Sequence, residues 1–196
     1  VKRSETELPK PWKKTLKGKS ISRYSIKDKS LYLKYGDWLA RNWQNTSFYE
    51  TPKIAVRETS SEIIAALDME NRYFLSSLYA VYPKDEKSEY QLKYILAVLN
   101  SDLATYYISR IALDLTKGAF TKFRTNQLAR LPIKLATKQQ QEQIINLVDK
   151  ILVSKEQKQD TSDFEKKLNE MVYKLYDITK TEQQEIETIL IKRKIK

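Results

Sequence analysis

The sequence predicts an α+β fold: a mixed sheet with helices, followed by a C-terminal helical hairpin or spacer. Three observations carry this. Apolar residues alternate or run in short blocks through the N-terminal part, the period changes to that of a helix at Gln91, and long amphipathic stripes take over after Ala136. The chain has only three glycines and five prolines among 196 residues, too few turn formers for a sandwich or barrel. Its 41% hydrophobic content supplies a core, and 31% charged residues suit a solvated, helix-rich surface.

In SISRYSIKDKSLYLKYGDWLAR, Ile21, Tyr24 and Ile26 and then Leu31, Leu33 and Tyr35 suggest two short strands joined through Lys27–Ser30. KIAVRET (53–59) reads as a buried strand that ends in polar residues at Glu58–Ser61. Glu58, Glu62, Asp68 and Glu70 read as the decoration of a helix face. YFLSSLYAVYP (73–83) reads as one strand stopped by Pro83, with a charged loop up to Tyr90. Leu92, Ile95, Leu96 and Leu99 then share a helical face. Asn100-Ser101-Asp102 interrupts that helix, and Ser101 suits the cap of a second one carrying Leu103, Tyr106 and Tyr107. Beyond it come a loop, a short helix at Thr125–Arg130 and a strand at Pro132–Leu135.

The division falls between residues 1–135 and 136–196. In the second part Ile144, Leu147, Val148, Ile151 and Leu152 form one stripe. A further helix starts near Ser162-Asp163 with Phe164, Leu168, Met171, Val172 and Leu175, and a third has a capping box at Thr181–Gln184. The first two stripes suit each other as an antiparallel hairpin. Two other uses are open to them: bracing another domain of the same chain, or presenting a face to a partner helix.

Composition removes several function classes. With no Cys and no His there is no thiolate chemistry, no imidazole base and no His/Cys metal cluster. No glycine spacing fits a dinucleotide fingerprint or a P-loop. Asp85 and Glu89 resemble a nuclease pair only superficially, because Glu89-Tyr90-Gln91 lacks the usual Glu-x-Lys; a charged loop accounts for them. No catalytic residue and no metal are expected in this chain, and no cofactor for this segment. No apolar run reaches the ~18 residues of a membrane span and no signal peptide is visible, so no membrane partner and a cytoplasmic setting are expected. The first residue is Val, which suggests a processed chain or a piece of a longer one.

The net charge is +11 with a pI near 9.5. Residues 1–35 hold eleven Lys or Arg against three acids, Glu5, Glu7 and Asp28. A second cluster, Arg110, Lys117, Lys122, Arg124 and Arg130 around Gly118, has Asp114 as its one acid. Such stripes attract polyanions, nucleic acid first; the plainer reading of the charge is solubility.

Several segments, in order, resemble the C-terminal specificity domain of TaqI-like adenine-N6 DNA methyltransferases and type IIG restriction–modification enzymes. LKGKSISRYSI is similar to the family's Gly-Arg-Asp-Ile-x-Arg-Tyr segment, and LYLKYG to the Tyr-Leu-x-Tyr that follows. TPKIAVRETSSEIIAALD is similar to its Lys-Ile-x-x-Arg strand, and YILAVLNSDLATYYIS to its Leu-x-x-Leu-Asn-Ser-x-Leu helix break. KGAFTKFRTNQLARLPI is similar to its Lys-x-x-Phe loop before Leu-x-x-Leu-Pro-Ile. QQEQIINLVDKIL and LNEMVYKLYDITKTEQQEIE resemble its spacer helices. Ser20 departs from a frequent acid, and Asp177 stands where a glycine usually closes the turn.

The resemblance implies a DNA target-recognition domain over 1–135 and a helical spacer over 136–196. Its partners would be double-stranded DNA and an upstream methyltransferase domain of the same chain, with S-adenosylmethionine as the parent enzyme's cofactor. The parent would flip an adenine out of the stack, while this part reads base edges in the major groove. The DNA-binding candidates are then Lys17, Lys19 and Arg23 around Gly18; Lys117, Lys122 and Arg124 around Gly118, with Asn126 and Gln127; and Arg57 at a strand end. Each has a rival reading. Lys17 and Lys19 suit solvated surface, Arg57 suits the partner of a buried acid such as Asp68, and Gln127 suits an exposed helix residue. Phe120 and Phe123 read as anchors for their loop rather than stacking platforms. The alternative for the whole chain is a protein-interaction or assembly module that uses the helical tail.

Overall fold

The computed structural model describes residues 1–40, 42, 44–82, 91–111, 121–122 and 124–194. Its strands are β1 (Lys2–Arg3), β2 (Trp12–Leu16), β3 (Ile21–Ser22), β4 (Ser25–Ile26), β5 (Leu31–Lys34), β6 (Lys53–Arg57), β7 (Thr59–Ser60), β8 (Ala65–Asp68), β9 (Tyr73–Phe74) and β10 (Leu78–Val81). The helices α1 (Leu92–Leu99) and α2 (Asp102–Ile111) follow. Then come β11 (Thr121–Lys122), α3 (Thr125–Leu128), α4 (Lys138–Glu156), α5 (Ser162–Leu175) and α6 (Lys180–Lys194). The architecture is α+β, as the sequence predicts.

β6 is the centre of the molecule. Ile54, Ala55 and Val56 are all fully buried, and a strand apolar on both faces needs cover on both. It lies between β10 and β8, antiparallel to each, with Val56 opposite Tyr79 on one side and Ala65 on the other. On one face Ile54 and Val56 meet α1, α4 and α5 in the main core. On the other, Ala55, Ala66 and Leu78 pack against Leu16 and Ile21. The second sheet runs β1-β5-β2-β9, antiparallel except for the parallel pair of β2 with β9.

The break between α1 and α2 is a clip as well as a turn. The Asn100 amide pairs with the backbone of β8, its Oδ1 accepting from Ala65 N at 2.9 Å and its Nδ2 donating to Ala65 O at 3.0 Å. Ser101 Oγ caps α2 by accepting from Ala104 N at 3.1 Å. Thr105 Oγ1 accepts from Ile63 N at 3.1 Å, which ties the same segment a second time.

Several elements differ from the sequence reading. Ile21–Ile26 is a tight hairpin of β3 and β4, because Tyr24 takes a left-handed φ of 60°; β5 pairs with β1 and β2 instead. Residues 73–81 form two strands, because Leu78 N turns back to Leu75 O at 3.0 Å. The acids from Glu58 to Glu70 lie on no helix. Asp68 ends β8 fully buried, held by Lys53 at 3.0 Å and Arg72 at 2.9 Å. No strand forms at 132–135. Pro132 has no N–H, and tyrosine hydroxyls take the role of a neighbouring strand: Tyr176 donates to Pro132 O at 2.7 Å and accepts from Lys134 N at 2.9 Å. The capping box of α6 lies two residues earlier than expected, with Thr179 N donating to Glu182 Oε2 at 2.7 Å.

The tail helices close on each other and also on the domain before them. Ile144, Leu147, Val148 and Ile151 of α4 and Leu168 and Leu175 of α5 belong to the main core with α1, so packing runs across residue 135 without a break. α6 sits on α2 and α5 through Ile186, Leu190 and Tyr173, with Leu103 and Tyr106 beside them. Among the described residues, no helix is long and apolar enough to cross a membrane.

Candidate nucleic-acid interface

The end of β6 positions the candidates. Side chains alternate along a strand, so Arg57 points to the face of Ala55 and Glu58 to that of Val56. Each meets a different basic segment. Arg57 Nε donates to Gly18 O at 2.9 Å and Nη2 to Ile21 O. Gly18 N donates to Ser77 Oγ at 2.8 Å. A Cβ on residue 18 would lie 3.2 Å from Ser77 O and 3.5 Å from Arg57 Cγ, so glycine suits this approach. The result is a fixed 3-10 turn at Gly18–Ser20, closed by Lys17 N on Ser20 Oγ at 3.2 Å. Lys19 projects from it exposed and Lys17 is half-buried.

On the opposite face β11 pairs with β7, with Lys122 opposite Thr59. Lys122 Nζ lies 3.3 Å from Glu58 Oε1 and its side chain is 62% exposed. Tyr79 OH donates to the same oxygen at 3.1 Å. Burial first, and then the bond to Glu58, pushes the Tyr79 phenol up to about 12, so it stays a neutral donor. Arg124, exposed, follows at the start of α3. Its N–H donates to Gln127 Oε1 at 2.9 Å, so Gln127 caps its own helix. Asn126 is exposed on α3. The structure thus brings Lys17, Lys19, Arg57, Lys122 and Arg124 around one strand end. Lys117, Gly118, Phe120 and Phe123 lie outside the described residues.

Arg23 is used differently from the other candidates. Its side chain is 17% exposed, with Nη1 at 3.3 Å from Glu62 and 4.0 Å from Asp102, and Nε at 3.3 Å from Glu165. Burial works against its charge, and Tyr24 together with the carboxylates of Glu165, Glu62 and Asp102 outweighs that and raises its proton affinity. It clasps the β3–β4 turn to the starts of α2 and α5. The rival reading of Arg57 as a partner of Asp68 is also corrected: Lys53 and Arg72 hold that carboxylate, and Arg57 holds main-chain carbonyls.

Three residues of the site were not singled out from sequence. Glu58 holds Lys122, Tyr79 holds Glu58, and Ser77 buttresses Gly18. Glu58 has a signal, an acid at the end of a buried strand flanked by basic loops; Ser77 has none. Among the described residues no group of three acids could hold a metal ion.

The sequence model of a protein family described as TaqI-like C-terminal specificity domain matches residues 13–133 of the 196. The matched span takes in the Gly18 turn, β6 with its rim, β11 and α3, and ends before α4. Comparison with curated proteins finds no match.

Proposed function

The chain belongs to the TaqI-like C-terminal specificity domain family, and on that premise we propose that it reads double-stranded DNA sequence for a bacterial adenine-N6 methyltransferase of a restriction–modification system. The family is a specificity domain, not a catalytic one. The observation that carries the reading is the pair of basic segments on either side of the β6 end. Arg57 and Ser77 fix one, and Glu58 and β7 fix the other. Fixed donors on a rigid strand end suit groove reading, because register on the duplex must be held before base edges can be discriminated.

In this reading Lys17, Lys19, Lys122 and Arg124 reach phosphates or base edges, with Lys117 and Asn126 beside them. Arg57 and Gln127 position the segments rather than touch DNA. An upstream domain of the same chain binds S-adenosylmethionine and performs the transfer in a cytoplasmic setting. The assembly-module alternative draws no support from the tail, whose stripes on α4 and α5 lie in the main core. Duplex binding titrated across salt tests the proposal. The expected log–log slope is steep, ~0.9 for each phosphate contacted; folded protein that binds no duplex at low salt would refute it.

A further inference from the structure

Glu58 places a carboxylate beside the basic side chains of the β6 rim, in contact with Lys122. A phosphate backbone repels such a group, so chance decoration of a DNA-reading edge would select against it. In the major groove a duplex offers a carboxylate one kind of partner, the exocyclic amino group: N4 of cytosine or N6 of adenine.

The local geometry leaves the acceptor ready. Both contacts to Glu58, from Tyr79 OH at 3.1 Å and Lys122 Nζ at 3.3 Å, fall on Oε1. Oε2 has no hydrogen-bond partner among the described residues and is not among the buried unpartnered atoms. The side chain is 23% exposed, so it is held in place yet open to solvent. Backbone fixation is equally firm, since Glu58 N donates to Ser77 O at 3.0 Å. Lys122 offsets the negative charge as the duplex approaches, and it is the natural donor to an adjacent guanine. We propose that Glu58 is a specificity-determining residue whose Oε2 accepts the exocyclic amino group of a base in the major groove. This rests on the DNA-reading function above.

The test is selection of randomised duplexes by the whole chain, its Glu58→Gln variant and its Glu58→Met variant, with thermal melts of each. The wild type is expected to enrich cytosine or adenine at one position, and the enriched letter says which amino group is read. Glu58→Met, lacking an acceptor, is expected to lose that preference by about tenfold, the size of one good base-edge contact. Glu58→Gln keeps an oxygen for Tyr79 but sets an amide NH2 donor where Oε2 lay. It is expected to lose the preference for an amino-bearing base or shift it to an acceptor base, thymine or guanine, which keeps the test valid if the Met variant folds poorly. The salt slope is expected to stay unchanged, because no phosphate contact is lost. An unaltered preference in both folded variants would overturn the proposal, as would weaker binding spread evenly over all sequences. A wild type that binds duplex with no preference anywhere also overturns it. A wild type that binds no duplex fails at the earlier step, the DNA-reading function itself.

Discussion

Lys158 and Asp177 sit just past the ends of α4 and α5 with left-handed φ values of 56° and 58°. At each end the hydrogen bonds form a Schellman pair: Gln159 N to Ser154 O at 2.9 Å with Lys158 N to Lys155 O at 3.2 Å, and Ile178 N to Tyr173 O at 2.9 Å with Asp177 N to Lys174 O at 3.2 Å. Glycine is the usual occupant, and a Cβ there costs about 1 kcal/mol. Lys158→Gly is therefore expected to stabilise the protein by about 1 kcal/mol, read as a raised urea midpoint at constant m. Asp177 also pairs with Lys134 at 2.6 Å, on an exposed surface, so glycine there should gain less. Arg57 makes a different kind of prediction. Arg57→Met removes the donor from two carbonyls that order the Gly18 turn, a cost of about 2 kcal/mol. Duplex affinity should fall with it, although Arg57 is assigned no DNA contact; calorimetry and a binding titration on the same variant check both.

At the scale of elements, the Asn100 clip explains why the helix break has the sequence it has. Its amide completes the backbone of β8 at Ala65, and leaving those buried groups unpaired costs about 1–3 kcal/mol each. Asn100→Ala is expected to lower stability by about 2–4 kcal/mol and to raise amide exchange at Ala65. The starts of α5 and α6 carry the clearest acid sensitivity. Hydrogen bonds from Ser162 hold Asp160 below its ordinary 3.8, and those from Thr179 hold Glu182 below its ordinary 4.5. Carboxylates lowered in the folded state stabilise above the unfolded value, and that contribution is lost as pH falls through the folded value. Below about pH 4 these two helix starts should fray first, seen as faster exchange at Ser162 and Glu182, with α1 unaffected. Helices were legible in the sequence because their stripes repeat over many residues, and β6 because a run buried on both faces admits no polar residue. Short strands were not. β7 and β11 pair across some sixty intervening residues, and the Pro132 segment forms no strand because tyrosines distant in sequence satisfy its backbone.

For the whole molecule, the buried set of Lys53, Asp68 and Arg72 ties the edge of the β10-β6-β8 sheet to the segment that leads into β9. Lys53 Nζ also donates to Tyr49 O at 2.7 Å. Asp68→Asn would leave two buried cations short of charge, at a cost of about 3–5 kcal/mol, a large part of a stability of ordinary size; a thermal melt should show it. The positive charge was legible from composition, but its distribution was not. Arg23, Lys53 and Arg72 are absorbed by carboxylates inside the fold, whereas Lys19 and Lys122 keep exposed side chains at the β6 rim even though Lys122 pairs with Glu58, a sorting that depends on which acids fold beside which bases. The salt dependence of duplex binding by the wild type and by the triple variant Lys19→Gln, Lys122→Gln, Arg124→Gln tests the central claim directly. If the rim holds the duplex, the wild type binds with a steep slope and the variant's slope falls by up to ~0.9 per substitution, with its fold intact. An equal slope in both proteins would contradict the assignment of this rim as the DNA-reading surface.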